Sequence, residues 1–316
     1  MGLRAENYIQ RYTGRDQMGY HVLDNDVVLS DLGMFPAVNT IFTISDKQNL
    51  RAAFSKTIAR PSFKELSYAE IFDPITGSTF IGGLFRDAND LAGIEYWDGN
   101  LTTTTIYNYD LRWELFGSDQ QLISVSAFYK KFIKPIEIVQ FATQIGAFQP
   151  RNVGDGEVAG AEFEFRKNMK WIAPALQNLS LQANFTYTKS RILLSATELE
   201  SRTENARSGQ QISAYRDMAG QAPYVVNAGI SYKAPVNVFG SPEAGVYYNV
   251  QGPTLMFAGI ADRPDIWSKP FHSLNFNANV YVDKQKKMLI SLKVDNILNS
   301  KQEAVFTSYM AEDRYF

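Results

Sequence analysis

The side chains most often used in catalysis are scarce in this chain. It has no cysteine and two histidines, His21 and His272. The lack of cysteine excludes disulfides, thiolate catalysis and cysteine-ligated metals, and two histidines do not suffice for a multi-histidine metal centre. A serine triad needs a histidine within hydrogen-bond reach of a serine and an acid. His21 lies near Asp24 and Asp26, and His272 precedes Ser273, but neither accompanies a G-x-S-x-G motif, so no enzymatic activity is expected.

Other short motifs lack the setting that their chemistry requires. Gly82-Gly83 does not stand between a strand and a helix, as a phosphate-binding loop would. The stretch from Asp262 to Asp265 has neither the length nor the glycine of a calcium loop. The chain carries 31 basic and 33 acidic side chains, a net charge of −2, so it lacks the positive surplus of nucleic-acid-binding proteins. We therefore expect no metal, no cofactor and no nucleic-acid partner.

Candidate binding residues lie in two long polar stretches, 60–103 and 189–220. Loops held by a rigid scaffold are where binding residues concentrate. The second stretch also holds a modest basic cluster that would suit an anionic ligand. The candidate contact residues are Arg86, Tyr96 and Trp97 in the first stretch and Arg202, Arg207, Tyr215 and Arg216 in the second. The alternative is that both stretches are ordinary solvated loop surface.

The elements that would position these loops are strands. The composition, 45% hydrophobic and 20% charged, argues against disorder. Apolar and polar residues alternate with period two, as in 179–188, where Leu179, Leu181 and Phe185 oppose Ser180 and Asn184. Such a strand has one apolar and one polar face. Strands of this kind are predicted at 3–11, 35–44, 49–58, 108–115, 121–133, 159–166, 179–188, 221–233, 243–252, 273–282 and 287–297.

The connections between these strands alternate strictly between short and long. The long connections are 12–34, 59–103, 134–157, 189–220 and 253–271. Structureless loops of this length are uncommon in compact soluble domains, whereas outer-membrane barrels have long loops on one side and short turns on the other. Many predicted strands also approach the ~9–11 residues that a tilted membrane strand needs. The pattern therefore favours a transmembrane barrel.

The aromatic content of 13% supports this interpretation. Aromatic residues such as Tyr109, Tyr129 and Tyr232 lie towards the ends of predicted strands. Amphipathic rings settle at membrane–water boundaries and form girdles on barrels. Aromatic residues are also simply good strand formers, which is the alternative for any single ring.

Several stretches resemble the C-terminal half of TonB-dependent outer-membrane receptors, of the type found in Bacteroidetes-like bacteria. The most specific is 49–66, a strand that enters a long loop through the Arg60-Pro61 step. Residues 108–114 and 123–132 are similar to the return strand and the following hairpin. The run 293–299, Lys-Val-Asp-Asn-Ile-Leu-Asn, is similar to the penultimate strand of the family.

The resemblance implies an all-β fold, an antiparallel up-and-down transmembrane barrel with short periplasmic turns and long extracellular loops. Residues 1–316 would be the C-terminal portion, about half of a 22-stranded barrel, without the plug domain, the first barrel half and the last strand. The implied function is to bind a scarce nutrient of the siderophore, oligosaccharide, peptide or vitamin class and import it into the periplasm. The implied partners are outer-membrane lipid, the N-terminal plug, the TonB energy-coupling complex acting through that plug, and a surface lipoprotein.

Two alternatives remain at this point: a self-contained outer-membrane porin or hydrolase barrel, and a soluble β-rich adhesin or binding module. If the chain is a barrel wall, its apolar faces contact lipid and its polar faces line a hydrated lumen. The charges expected on the lumen side, pairing across neighbouring strands or contacting the plug, are Asp110, Arg112, Glu114, Glu162, Glu164 and Arg166.

Overall fold

A computed structural model describes the whole chain except residues 17, 90–92, 119–120, 207, 236–241, 283–286, 308–311 and 315–316. Its main feature is an antiparallel sheet in which eleven strands pair in chain order. The strands are β1 (Gly2–Arg15), β2 (Val22–Ser45), β3 (Gln48–Ala59), β4 (Thr104–Phe116), β5 (Leu122–Ile133), β6 (Gly156–Asn168), β7 (Leu179–Leu193), β8 (Tyr224–Lys233), β9 (Glu243–Gln251), β10 (Phe271–Tyr281) and β11 (Leu289–Val294). The eleven predicted strands are confirmed, and among the described residues β1 does not pair with β11.

The period-two pattern sorts the side chains onto the two faces of this sheet. One row of paired residues crosses five strands on the outward face: Trp113, Val125, Phe163, Phe185 and Val226. Val125, Phe163 and Phe185 are exposed in the isolated sheet, so no second layer from the described part of the chain covers this row. One residue along, the opposite face carries polar groups such as Ser126 and Glu164, and we call it the inner face.

Of the six charges that the sequence places on the inner face, Arg112, Glu114 and Glu164 pair across strands, and Arg166 pairs within its own strand. Glu114 accepts from Arg51 at 2.7 Å and from Arg112 at 2.9 Å. Arg112 also reaches Glu164 at 2.8 Å, and Arg166 lies 3.3 Å from the same carboxylate. In the described part of the chain, neither Asp110 nor Glu162 makes an ion pair.

The first hairpin differs from the prediction. The stretch 12–34 was expected to be a long loop, but β1 continues to Arg15 and β2 begins at Val22, so the connection is 16–21. With 24 residues, β2 is more than twice as long as the ~9–11 residues that cross a bilayer. A strand that extends beyond the hydrocarbon has water on both faces, so it loses the alternation by which strands are recognised.

The four other long connections lie at the same end of the sheet and contain their own secondary structure. One small sheet joins two loops through the strands Glu70–Asp73, Ser78–Ile81, Ile136–Gln140 and Ala147–Asn152. The remaining short strands are Asp87–Asn89, Ile94–Trp97, Tyr215–Arg216, Thr254–Phe257, Asp265–Ser268, Ala304–Thr307 and Glu312–Arg314.

Helices are few in this structure. The helix α1, Ala196–Glu204, begins at Ser195, whose side chain accepts from the Glu198 backbone N–H. Two 3₁₀ turns, Met169–Trp171 and Pro174–Leu176, lie in the connection between β6 and β7, at the opposite end of the sheet. Among the described residues, no helix combines the length and the apolar character needed to cross a bilayer.

Candidate functional site

The loop 60–103 turns inward and packs on the inner face of the first hairpin. Leu66 and Leu101 are buried against Leu29 of β2, and these three residues form a core cluster. Arg60, where the loop leaves β3, pairs with Glu6 of β1 at 2.7 Å and lies over the Tyr8 ring at 4.5 Å. The loop is therefore fixed to the sheet by apolar burial and by a charge pair at its base.

A cavity of about 560 Å³ opens between the tip of the first hairpin and this loop. It is lined by Asp16, Met18, His21, Tyr68, Leu84, Phe85, Arg86, Asp98 and Gly99. Tyr68 joins its two sides, because its backbone N–H donates to the Tyr12 hydroxyl at 3.3 Å and its ring lies near His21. The size falls within the ~300–1,000 Å³ typical of small-molecule sites.

The polar groups of this cavity carry both signs of charge. His21 Nδ1 lies 2.8 Å from Asp16, and that hydrogen bond lowers the pKa of the Asp16 carboxyl. Arg86 is 61% exposed and hydrogen-bonds Glu95, which raises the pKa of its guanidinium. Burial raises the pKa of the Tyr68 phenol, so the hydroxyl stays protonated at neutral pH. The lining offers charged hydrogen-bonding groups together with the rings of Tyr68 and Phe85, an arrangement that suits binding by hydrogen bonds and aromatic contact.

A buried ion pair joins the loop 60–103 to the loop 134–155. Asp87 is 0% exposed and Arg151 is 5% exposed, and they pair directly. The Asp87 carboxylate also accepts from the Ala142 N–H at 2.7 Å and the Thr143 hydroxyl at 2.9 Å. Burial lowers the pKa of Arg151, against the opposing effect of Asp87. Sequence reasoning missed this pair, because isolated charges in polar stretches look the same whether they end up solvated or buried.

A second buried cluster joins the loop 134–155 to two further loops. Arg216 reaches Glu137 and Glu198, each at 2.7 Å. Arg202 lies 3.1 Å from the same Glu198 and donates to Asp265 at 2.8 Å. Burial works against the charge of Arg216, but the two carboxylates outweigh it and raise the pKa of this guanidinium. This five-residue cluster fastens 134–155, 194–223 and 252–270 together.

The structure does not bring the seven predicted contact residues to one place. Arg86 lines the cavity, whereas Arg202 and Arg216 are buried against carboxylates. The Trp97 indole donates to the Gly83 carbonyl at 2.8 Å, and the Tyr96 carbonyl lies 3.5 Å from Arg151.

The last two of the seven residues, Tyr215 and Arg207, do not line this cavity as described. Tyr215 is exposed beside Arg191, whose guanidinium carbon lies 5.3 Å from the ring centre. Arg207 is outside the described residues. Substrate contact by these seven residues stays a prediction.

A second cavity, of about 290 Å³, runs along the inner face of β6 to β10. Its wall is a ladder of amides in which Asn227 donates to Asn184 at 2.6 Å and Asn249 donates to Asn227. The row continues to Ser273, and the Asn275 side chain, two residues further along β10, accepts from the Asn296 N–H at 2.9 Å. This polar surface is what the alternation of asparagine with apolar residues predicts for a lumen. Across the described residues, no three histidine, aspartate or glutamate side chains converge where a metal ion would sit.

Comparison with known proteins shows one family. The family model described as "TonB dependent receptor-like, beta-barrel" matches residues 1–297. No curated protein matches significantly.

Solved structures show the same fold at low identity. The copper transporter OprC superposes with a TM-score of 0.61 at 17% identity, over 97% of this chain and 40% of OprC. The ferric citrate transporter FecA superposes with a TM-score of 0.57 at 15% identity, over 91% of this chain and 36% of FecA. The ferric yersiniabactin uptake receptor FyuA from Yersinia pestis superposes with a TM-score of 0.55 at 13% identity, over 91% of this chain and 35% of FyuA. The chain therefore spans 35–40% of the length of these structures.

Proposed function

Because the chain belongs to the TonB dependent receptor-like β-barrel family, its sheet is part of an outer-membrane barrel wall, and we propose that it serves a receptor that binds a scarce nutrient and imports it into the periplasm. The nutrient is of the siderophore, oligosaccharide, peptide or vitamin class. The related structures are named for copper, ferric citrate and ferric yersiniabactin, which supports uptake of a scarce solute without selecting one. In this proposal the chain is the C-terminal part of the barrel domain, and the rest of the receptor supplies the plug.

The observation that carries this proposal is the cavity around Arg86. It lies at the end of the sheet that bears the long loops, which in outer-membrane barrels is the extracellular end. The loop that forms one wall of the cavity packs on the inner face of the sheet, so a solute bound there would stand near the entrance of the lumen. The exposed guanidinium of Arg86 and the partly buried Tyr68 phenol supply hydrogen-bond donors to this cavity.

The buried ion pairs have a supporting role in this proposal. Arg202 and Arg216 hold three loops in place and contact substrate only if the loop assembly opens. The paired charges from Arg51 to Arg166 and the asparagine ladder face the lumen, where the plug would lie. The TonB complex would act on that plug, and a surface lipoprotein over the loops is the further partner that the resemblance implies.

Ligand binding to the full-length receptor tests the proposal. Purified receptor in detergent is screened by thermal shift against ferric siderophores, oligosaccharides, peptides and vitamins, and the affinity of a hit is measured by calorimetry. Arg86→Ala should weaken that binding at least ~10-fold, since a charge-assisted hydrogen bond contributes ~1.5–3 kcal/mol. Arg191→Ala is the matched control, because Arg191 has the same exposure (58%) and pairs with a glutamate, but lies on the outward face. Equal effects of both substitutions would contradict the assignment of the site.

Uptake in cells separates the receptor from a self-contained porin. A receptor coupled to TonB loses transport of the hit compound when the energy-coupling complex is deleted. Uptake that continues unchanged in such cells, and that rises linearly with concentration, would indicate a passive porin.

A further inference from the structure

The outward face of β4 to β7 changes from apolar to charged within a few residues of the long loops. The apolar row runs through the paired residues Val125 and Phe163. Four residues nearer the loops, the paired row consists of Tyr109, Tyr129, Ala159 and Lys189. Two residues further, it consists of Tyr107, Lys131, Glu157 and Arg191. We call Lys131, Lys189 and Arg191 the basic rim.

The hydrocarbon thickness places this rim at the outer membrane boundary. On β6 the outward residues between Glu157 and Lys167 are alanine or phenylalanine, and Lys167 lies 5.1 Å from the Trp171 ring at the opposite boundary. Ten residues at ~3.4 Å each, tilted by ~35–45°, rise roughly 24–28 Å. The apolar band of outer-membrane barrels is ~25 Å tall, so the two charged ends of β6 bracket it.

The rim has a surplus of positive charge on this outward surface. Glu157 is held by Arg191 and by the Tyr129 hydroxyl, which donates at 2.7 Å. Among the described residues, Lys131 and Lys189 make no ion pair, and both are exposed. Asp217, in the loop above, is near enough to Lys189 to be affected by its charge. Three cations thus face two carboxylates beside a belt of tyrosine rings.

We propose that the basic rim binds the phosphate groups of an anionic lipid in the outer leaflet. Lysine and arginine form short, charge-assisted hydrogen bonds to phosphate oxygens, and such bonds are strengthened where water is partly excluded. Lys131 and Arg191 lie one row above the tyrosines, and Lys189 lies in the tyrosine row itself. A phosphorylated lipid therefore satisfies the cations while its acyl chains cover the apolar row at Phe163. A free phosphate ion would gain the charge contacts alone. The proposal depends on the position of the wall in the membrane and not on the nutrient that is carried.

Native mass spectrometry of the full-length receptor in detergent tests this proposal. The probe is diphosphoryl lipid A, compared with the same lipid after enzymatic removal of its phosphates. The variant Lys131→Gln/Lys189→Gln should bind diphosphoryl lipid A roughly 30-fold more weakly, because each cation near a lipid surface contributes about one factor of five. Lys130→Gln is the matched control: Lys130 neighbours Lys131 on β5 but lines an inner-face cavity, and its replacement should leave lipid binding unchanged.

Three results would overturn the proposal. They are equal binding of the double variant and the wild type, equal binding of the two lipids, and displacement of the lipid by inorganic phosphate at millimolar concentration. Heat-modifiable migration of each variant reports whether the barrel is folded. Lys131→Arg/Lys189→Arg, which keeps both charges, should restore lipid binding, and its failure to do so would also count against phosphate recognition.

Discussion

Replacing Arg151 by methionine should lower the free energy of opening of the extracellular loops by about 3 kcal/mol. The substitution leaves the fully buried Asp87 carboxylate without its cation, and removing one partner of a buried pair costs ~3–5 kcal/mol. The lower end of that range applies, because Asp87 keeps its hydrogen bonds from Ala142 and Thr143. The side-chain Oε1 of Gln149, which accepts from Arg151 at 2.9 Å, loses that donor and adds to the cost.

Hydrogen exchange on the full-length receptor measures this effect. The Phe141 and Val153 amides, bonded to Ala147 and Pro135, report opening of the loop 134–155. A cost of ~3 kcal/mol predicts roughly 100-fold faster exchange at both amides, if they exchange through loop opening. Amides of the barrel strands should be unaffected, since the pair lies outside the sheet.

A double variant and an exposed control make the result specific. Asp87→Leu with Arg151→Met removes both charges, so exchange should return to within about 1 kcal/mol of the wild type. Arg166→Met removes an exposed cation paired with Glu164 and should cost under ~1 kcal/mol. If Arg151→Met accelerates exchange no more than Arg166→Met, or if the double variant is as loose as the single one, a buried charge is not what holds these loops together.

Two further predictions concern the base and the tip of the first hairpin. Leu66→Ala should lower the free energy of opening of the loop 60–103 by ~2–5 kcal/mol, because Leu66 is 0% exposed. The measurement is the rate of proteolysis of that loop, which should rise. Leu32→Ala is the control, since Leu32 is 80% exposed on the outward face and its replacement should leave proteolysis unchanged. The hydrogen bond with His21 lowers the pKa of Asp16, so the carboxylate's stabilisation of the hairpin tip is complete above pH ~4 and is lost as the pH falls through the lower pKa of the folded state. The Tyr20 amide donates to Asp16, so its hydrogen exchange, corrected for the intrinsic rate, should become faster over that pH range. The substitution Asp16→Asn should abolish this pH dependence. An unchanged Tyr20 profile in Asp16→Asn would refute the second prediction.

The strands were predictable because each responds to a local rule. A strand with hydrocarbon on one side and water on the other must alternate, and the alternation of Leu179, Leu181 and Phe185 is readable without knowing any neighbour. Alternation is lost where a strand does not have hydrocarbon on one face and water on the other. Residues 22–34 stand beyond the hydrocarbon, so their pairing with β1 left no periodic signal.

The candidate site was only partly predictable. The sequence indicates which loops are long and polar, and Arg86 does line the cavity between them. It does not indicate where opposite charges meet. Arg216 finds Glu137 79 residues away, and Arg151 finds Asp87 64 residues away, from loops that meet only once the sheet has formed.

Sequence alone therefore determined the eleven strands of the main sheet, the face that each side chain takes in the alternating stretches and the end of the sheet that carries the long loops. The tertiary structure decided which arginines are buried cross-links and which one faces a cavity. The physical reason is range: alternation depends on the solvent at each face of one strand, whereas the fate of a loop charge depends on which distant carboxylate folds against it.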